Sequence, residues 1–598
     1  MKTFEIATSI LFTLFLPKSA LSTVIDGSEC KCIPGDPCWP SMQDWSAFNE
    51  TINGSLIASV PPAEACYPGK SYNADACNLI LASWFDSNWH AKSPISIDYP
   101  EWANNSCNPI FPNGTSLTGD PNSGSRGCTL GYYPVYAVNA SSAEMISTAV
   151  KWAASRNIRL VVKNTGHSFA GRSTGYASLS IWTHNMRGFQ YHDDWKPIGC
   201  SSTNSTEKQK AATLAAGMQD RDVYALSHEH GAIVVGGSNP SVGIMGWFPG
   251  GGHGPLSSSY GMGADNLLQA KVVLANGDVV IANECQHSDL YWALRGGGSG
   301  TFGVIVEATM MAFPTPQTTI TLLNVTSLPG DGTNLTSRWW QLIAELHADF
   351  PAIKDGGAQG YYVVSAPPIV ALPSFEFFTY HYESDKDTVD SLWRPVLDRL
   401  NEHKDFVNYT FFTYTAPTFF DIWNASTGQA FEAVATGGGW MASRLLTRRA
   451  LTEDIQAVAK AFEKAGPILI GHMIANDKNR RLDSALNPGW RDTVVHVVVV
   501  AEYRDGDPPD VKEKAKEETM SVKAYALKQI SPEAGAYFNE MNPYEPDWQY
   551  TFFSKNYPRL RRIKDKYDPT GVLWCLSCVG SEDWIEKENK RLCRPSWW

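Results

Sequence analysis

His167 presents one imidazole in a run of small and polar residues, Lys163-Asn164-Thr165-Gly166-His167-Ser168-Phe169-Ala170-Gly171-Arg172. A glycine next to a histidine lets the backbone approach a partner closely and puts a nitrogen nucleophile at the contact. A lone loop histidine is more often structural, so the case for chemistry has to come from what accompanies it. Two glycine-rich stretches do. One runs from Gly236-Gly237-Ser238-Asn239-Pro240-Ser241-Val242-Gly243 through Gly250-Gly251-Gly252-His253-Gly254-Pro255-Leu256-Ser257 to Tyr260-Gly261-Met262-Gly263. The other is Gly296-Gly297-Gly298-Ser299-Gly300-Thr301-Phe302-Gly303. Such runs allow backbone N–H groups to converge on an anion such as a pyrophosphate.

The second run matches a dinucleotide fingerprint by its letters, but that fingerprint must open a helix. Val304-Ile305-Val306-Glu307-Ala308-Thr309 reads as a strand, which excludes NAD on a Rossmann fold. Cys575-Leu576-Ser577-Cys578 has no second CxxC and no matched histidine pair in the sequence. It is expected to be disulfide-bonded, and no metal site is expected. His228-Glu229-His230 falls at the end of a helical stretch and reads as solvated or as a helix-end charge pair.

These residues need elements to hold them. Ile158 to Val162 is a short apolar strand leading into the His167 loop. Ser141-Ser142-Ala143-Glu144 caps an amphipathic helix that runs to Ala154. Ala211 to Gly217 reads as a strand, Asp220 to His230 as a helix and Ala270 to Leu274 as a strand before the turn Asn276-Gly277-Asp278. Composition changes at Pro314-Thr315-Pro316. Beyond it lie strand-like runs at Thr318 to Val325, Gly360 to Val364, Phe375 to Tyr382 and Val494 to Glu502, with helices at Thr388 to Asn401 and Thr452 to Lys464. This predicts an α+β protein with an antiparallel sheet covered by helices on one face.

A chain of 598 residues is long enough for two domains. With 43% hydrophobic and 18% charged residues it is globular. A formal charge of −12 without a basic stripe argues against nucleic acid and anionic membranes as partners. Lys2, the apolar stretch Ile6 to Leu16 and the small residues Ala20-Leu21-Ser22 read as a secretory signal, residues 1–22. Asn-x-Ser/Thr sequons at Asn49, Asn53, Asn104, Asn113 and Asn139 and at Asn204, Asn324, Asn334, Asn408 and Asn424 fit a glycosylated extracellular protein. So do twelve cysteines, seven of them between Cys30 and Cys128, whose connectivity stays open.

Taken together, the glycine runs, the His167 loop, and Asp289-Leu290-Tyr291-Trp292-Ala293-Leu294-Arg295 before Gly296 resemble the PCMH-type FAD-binding domain of the vanillyl-alcohol oxidase and berberine bridge enzyme superfamily. Ala485-Leu486-Asn487-Pro488-Gly489-Trp490-Arg491 is similar to secreted fungal relatives of isoamyl alcohol oxidase. The resemblance implies a two-domain fold. Residues 23–124 form a cysteine-rich region packing on the FAD domain, and residues 125–314 form the FAD-binding domain. Residues 315–529 form the substrate-binding domain, and residues 530–598 return to the FAD domain, which is therefore discontinuous.

The resemblance also implies roles. His167 is the 8α attachment point of a covalent FAD, in a pyrophosphate loop of Lys163, Asn164, Thr165, Gly166 and Ser168. Asn239, Val242 and Gly243 occupy the run where many relatives carry a second, cysteinyl attachment. Asn239 has no thiolate, so a single covalent bond is expected. Gly250, Gly252 and Ser257, then Gly303, Val304 and Ile305, are further cofactor positions. Val242 is the oxygen-gate candidate, its competing role being simple packing. Gly246-Trp247 departs from the usual Gly-Gly-His, and Trp247 is expected to narrow the site.

Tyr537-Phe538-Asn539 resembles the Tyr-x-Asn of sugar-oxidising relatives. This makes Tyr537 the candidate base and Asn539 a cofactor neighbour; a core tyrosine is the competing reading. His472, Glu376, His381 and His496 are alternatives on the substrate domain, and the carboxylate base of alkaloid-oxidising relatives has no counterpart. The implied function is a secreted, monomeric oxidase of an alcohol, carbohydrate or phenolic alcohol that uses O2 and releases H2O2. The alternatives are a dehydrogenase, an oxidative cyclase of secondary metabolism, and an inert flavin-fold binding protein.

Overall fold

A computed structural model describes residues 30–200, 209–330, 335–429 and 433–595. The expected signal segment and the sequons at Asn204 and Asn334 lie outside the described residues. Three sheets organise the chain. The first joins Tyr136–Asn139, Leu179–Trp182 and Leu160–Lys163 in parallel, with Leu56–Ala58 antiparallel at its edge. Its hydrophobic face is closed by helix Ala143–Ser155, which buries Ile146, Ala149, Val150 and Ala153. That helix starts where Ser142 accepts a hydrogen bond from the Met145 N–H, as its sequence predicts.

The second sheet is antiparallel. Strand Val304–Pro314 is flanked by Gln209–Ala215 and Leu267–Val273, and its end pairs with Ala232–Val234. Gly298 and Gly300 adopt positive φ just before this strand, so the glycine run turns the chain and opens no helix. The tail returns here. Ala536, Phe538, Leu560 and Ile563 share one core with Leu214, Val272 and Phe302, and Leu573 bridges Leu160.

The third sheet has seven antiparallel strands. Their order is Val407–Ala416, Thr318–Ser327, Ser374–Tyr382, Gln359–Ser365, Ile468–Met473, Thr493–Tyr503 and Gly438–Thr447. One face is buried under helices Leu335–Asp355, Lys386–Glu402 and Ile455–Ala465. The last of these begins at Ile455, because Asp454 caps it, and not at Thr452, which ends a separate short helix.

Side chains alternate faces along a strand. Val495, Val497 and Val499 therefore pack under the helices, while His496 and Val498 point the other way. The same parity sends Tyr362, Leu469 and Met473 to the helix side and Tyr361, Ile470 and His472 away from it.

Every cysteine is paired: Cys30–Cys593, Cys32–Cys38, Cys66–Cys77, Cys107–Cys128, Cys200–Cys285 and Cys575–Cys578. Cys30–Cys593 ties together segments 563 residues apart. None of the eight sequon asparagines among the described residues is buried. No described helix is long and apolar enough to cross a membrane.

Candidate functional site

A cavity of about 400 Å³ lies between the first two sheets and the bare face of the third. One end is a cradle built from the loop Asn164–Ser168, the turn Asn239–Gly243, and Gly298 to Ile305. Gly166 has φ 102°, and a Cβ there would press on Ile97 Cα at 3.1 Å and Ser96 O at 3.2 Å. Only glycine therefore lets the loop carrying His167 close against residues 96–97. A Cβ on Gly243 would lie 2.4 Å from Asn164 Nδ2.

His167 Nε2 is 3.0 Å from Ser241 Oγ and 3.7 Å from the fully buried Asp98 Oδ2. Ser241 donates its one hydroxyl proton to Asn239 Oδ1 at 2.7 Å, so its oxygen must accept from His167. The proton of His167 is thereby placed on Nε2, and Nδ1 keeps its lone pair. Sequence reading missed Ser241 and Asp98 as partners of this imidazole. Asp98 is invisible to motif logic, since it comes from the cysteine-rich region.

Asn164, Thr165, Gly166, Ser168, Asn239, Val242, Gly243, Gly303, Val304, Ile305 and Asn539 all line the cavity with His167. Four expected cofactor positions do not. Lys163 turns its ammonium onto His90 O (3.1 Å) and Ser93 O (2.8 Å) and is fully buried. Gly250 lies under Asn539, where an added Cβ would come within 2.2 Å of Asn539 Oδ1, and Gly252 packs against Trp247. Ser257 hydrogen-bonds Gly254 O and Ile474 O. Trp247 lines the wall and donates to His253 O at 2.9 Å.

Arg172 holds the middle of the cavity, donating to Ser299 Oγ (3.1 Å) and Asn539 Oδ1 (3.0 Å). Burial lowers its guanidinium to about 10, so it remains a cation at neutral pH. Its bond fixes the Asn539 amide, whose nitrogen then donates to Trp247 O (2.9 Å) and to the Tyr537 hydroxyl (2.6 Å).

Beyond Tyr537 a buried group of titratable residues closes the cavity. His253 comes from the glycine loop, His472 and His496 from adjacent strands, and Glu540 from the returning tail. Register places Tyr361, His472 and His496 in one row across three neighbouring strands. His253 Nε2 is 2.8 Å from Glu540 Oε1, and His253 Nδ1 has no hydrogen-bond partner. A carboxylate only accepts, so Nε2 carries a proton toward Glu540.

Burial drives His472 down to about 4 and holds His496 well below its ordinary value, against the pull of Glu540, so both imidazoles are neutral. Burial works against the Glu540 charge, yet His253, which donates to it, holds its carboxyl well below the usual range. Burial, then the Glu540 charge, push the Tyr537 phenol well above its ordinary value. Its hydroxyl is therefore protonated at neutral pH, which suits a hydrogen-bond donor better than a base.

Of the alternatives named from sequence, His472 and His496 reach the site. His381 packs beside Trp393 on the helix face of the sheet, and Glu376 is exposed. His253 was hidden in a glycine motif. Glu540, three residues after Tyr537, was not singled out from the sequence.

A glycine-lined cleft thus ends in a cluster of buried titratable side chains. The FAD binding domain family matches residues 134–283, and the berberine and berberine-like family matches residues 536–576. The chain is 34% identical over 598 residues to the FAD-linked oxidoreductase sor8 of Hypocrea jecorina (strain QM6a), covering 98% of this chain and 97% of that one. It is 34% identical over 586 residues to the VAO-type flavoprotein oxidase VAO615 of Thermothelomyces thermophilus, covering 95% of each. The crystal structure of the VAO-type flavoprotein MtVAO713 from Myceliophthora thermophila C1 superposes with a TM-score of 0.87 at 30% identity, covering 95% of this chain and all of that one. The protein belongs to the FAD-linked oxidoreductases of the vanillyl-alcohol oxidase and berberine bridge enzyme superfamily, and its fold is the PCMH-type FAD-binding fold.

Proposed function

We propose that the protein is a secreted oxidase of an alcohol with an apolar or aromatic body, yielding the carbonyl compound and H2O2. The observation that carries this reading is the His253–Glu540 dyad. It holds a buried imidazole nitrogen without a hydrogen-bond partner in the wall of the cavity, near Tyr537. Removing a hydroxyl proton while hydride leaves the same carbon requires such a base. FAD, when bound, supplies the hydride acceptor and hands the electrons to oxygen.

The cradle of Asn164–Ser168, Asn239–Gly243 and Gly298–Ile305 would hold FAD. The lone pair on His167 Nδ1 suits a single covalent attachment there, with Asn239 offering no thiol for a second. Tyr537 would hold the substrate hydroxyl by donating to it, and His253 Nδ1 would take the proton. Glu540 would stabilise the resulting imidazolium through Oε1. Met441, Ile470 and Val498 make the substrate end apolar, which favours a hydrophobic alcohol or phenolic alcohol over an oligosaccharide. Val242, on the cavity wall, is the candidate oxygen gate. The six disulfides and the exposed sequons fit an oxidising, glycosylating export route.

An oxygen-electrode screen across aliphatic alcohols, phenolic alcohols and oligosaccharides, with H2O2 detection, tests this. Substrate-dependent flavin reduction without oxygen uptake would make the protein a dehydrogenase. No reduction by any class would leave an inert flavin-fold protein.

A further inference from the structure

His472, His496 and Glu540 aim three electron-pair donors at one point. His472 Nδ1 and His496 Nδ1 are 3.1 Å apart, and each lies 3.6 Å from Glu540 Oε2. The position equidistant from all three is about 2.0 Å from each, the bond length of Zn2+ to nitrogen and carboxylate oxygen.

Hydrogen bonding alone does not satisfy this group. At most one proton can sit between the two Nδ1 atoms. The contacts of 3.6 Å to Glu540 are too long to be hydrogen bonds. Glu540 Oε2 is a buried carboxylate oxygen with no hydrogen-bond partner, and His496 Nε2 also has none. If His496 Nδ1 accepts from His472, the His496 proton moves to that orphaned Nε2, which is buried beside no acceptor. A cation between the three atoms lets each donor use its lone pair and leaves the carboxylate charge compensated.

We propose that these three side chains form a site for one divalent transition-metal ion of the zinc type. Two imidazoles and one carboxylate are a catalytic-style ligand set, which keeps a position open. His472 and Glu540 line the cavity, so the open position faces the substrate end. His253 supports the site from behind by donating to the other oxygen of Glu540, the kind of hydrogen bond that orients a ligating carboxylate. An ion there would draw a substrate hydroxyl oxygen toward the dyad.

The other sulfur and carboxylate groupings, Cys32/Asp36/Cys38 and Cys200/Glu284/Cys285, have their sulfurs locked in disulfides and offer no thiolate. The ligands come from strands 24 residues apart and from the tail, so no spacing motif announces them. The site stands independently of the proposed oxidase activity, since binding is measured without substrate.

The experiment is elemental analysis of the purified holoprotein, then chelator stripping and titration with Co2+. About one equivalent of bound metal per chain is expected, with cobalt d–d bands to the red of the flavin absorption. His472→Ala and Glu540→Gln should abolish those bands while flavin absorbance and circular dichroism persist. Stripped wild-type protein that retains its flavin but binds less than about a tenth of an equivalent of Co2+ would overturn the proposal. So would a well-folded His472→Ala variant that still binds a full equivalent. If a variant loses its flavin and fold, the wild-type titration alone decides.

Discussion

His253 Nε2 meets Glu540 Oε1 at 2.8 Å across 287 residues of chain. The contact joins the glycine loop around Gly252 to the returning tail, and His253 Nδ1 is left without a hydrogen-bond partner. His253→Gln should keep the fold and flavin while slowing anaerobic flavin reduction about 10²- to 10⁴-fold. Tyr537→Phe should slow it less, because the phenol is held protonated and acts by hydrogen bonding. Stopped-flow traces of the two variants settle the assignment. A larger loss in Tyr537→Phe than in His253→Gln would make the tyrosine the base.

The His167 tautomer predicts the chemistry of attachment. With Nε2–H committed to Ser241, the flavin bond should form at Nδ1. NMR of the histidyl-flavin peptide reads the substituted nitrogen directly, and an Nε2 linkage would refute the tautomer assignment. Acid-precipitated wild type should stay yellow and His167→Ala should not. Asp98→Asn removes the buried charge 3.7 Å from the ring and should lower the covalent fraction while leaving FAD bound. An unchanged covalent fraction would leave Asp98 a purely structural role.

Thiol titration of the denatured, unreduced protein should find essentially no free cysteine, and peptide mapping should recover Cys30–Cys593 and Cys575–Cys578. Replacing Cys30 and Cys593 together by serine should cost about 2–5 kcal/mol, because the bond closes nearly the whole chain into a loop. An unchanged melting temperature in the double variant would show that the sheets already hold the two ends.

His347 predicts an acid limb of stability. It is fully buried; Nδ1 bonds Ile343 O at 2.7 Å, and Nε2 meets the Tyr362 hydroxyl at 2.6 Å. Donation to a carbonyl needs Nδ1–H, so Nε2 accepts from Tyr362 and the ring is neutral. Burial holds it down to about 3 against an ordinary 6.5. Between those values the unfolded chain binds more protons than the folded one, so stability falls as pH drops from 6.5 toward 3, by about 1.4 kcal/mol per unit at most. His347→Gln should shrink the difference in melting temperature between pH 7 and pH 4. An unchanged difference would place the acid sensitivity elsewhere.

The legible part of this protein is the local part. Gly166 beside His167 dictates a turn that few other residues can make, and Ser142 announces a helix start. Val304-Ile305-Val306 declares a strand where a Rossmann fingerprint would need a helix. These are short-range steric and hydrogen-bonding demands, and a sequence states them in adjacent letters. The glycine turns that line the cavity were readable for that reason.

The acid–base end was not. Strand periodicity shows that His472 and His496 each lie on one face, but only the pairing of Ile468–Met473 with Thr493–Tyr503 puts them side by side on the same face. The same parity rule turns His381 into the core. Glu540 and Asp98 gain their roles from segments hundreds of residues away. Register and sheet packing are long-range outcomes of burying apolar faces against one another. They alone decided which of thirteen histidines share a cavity with a carboxylate.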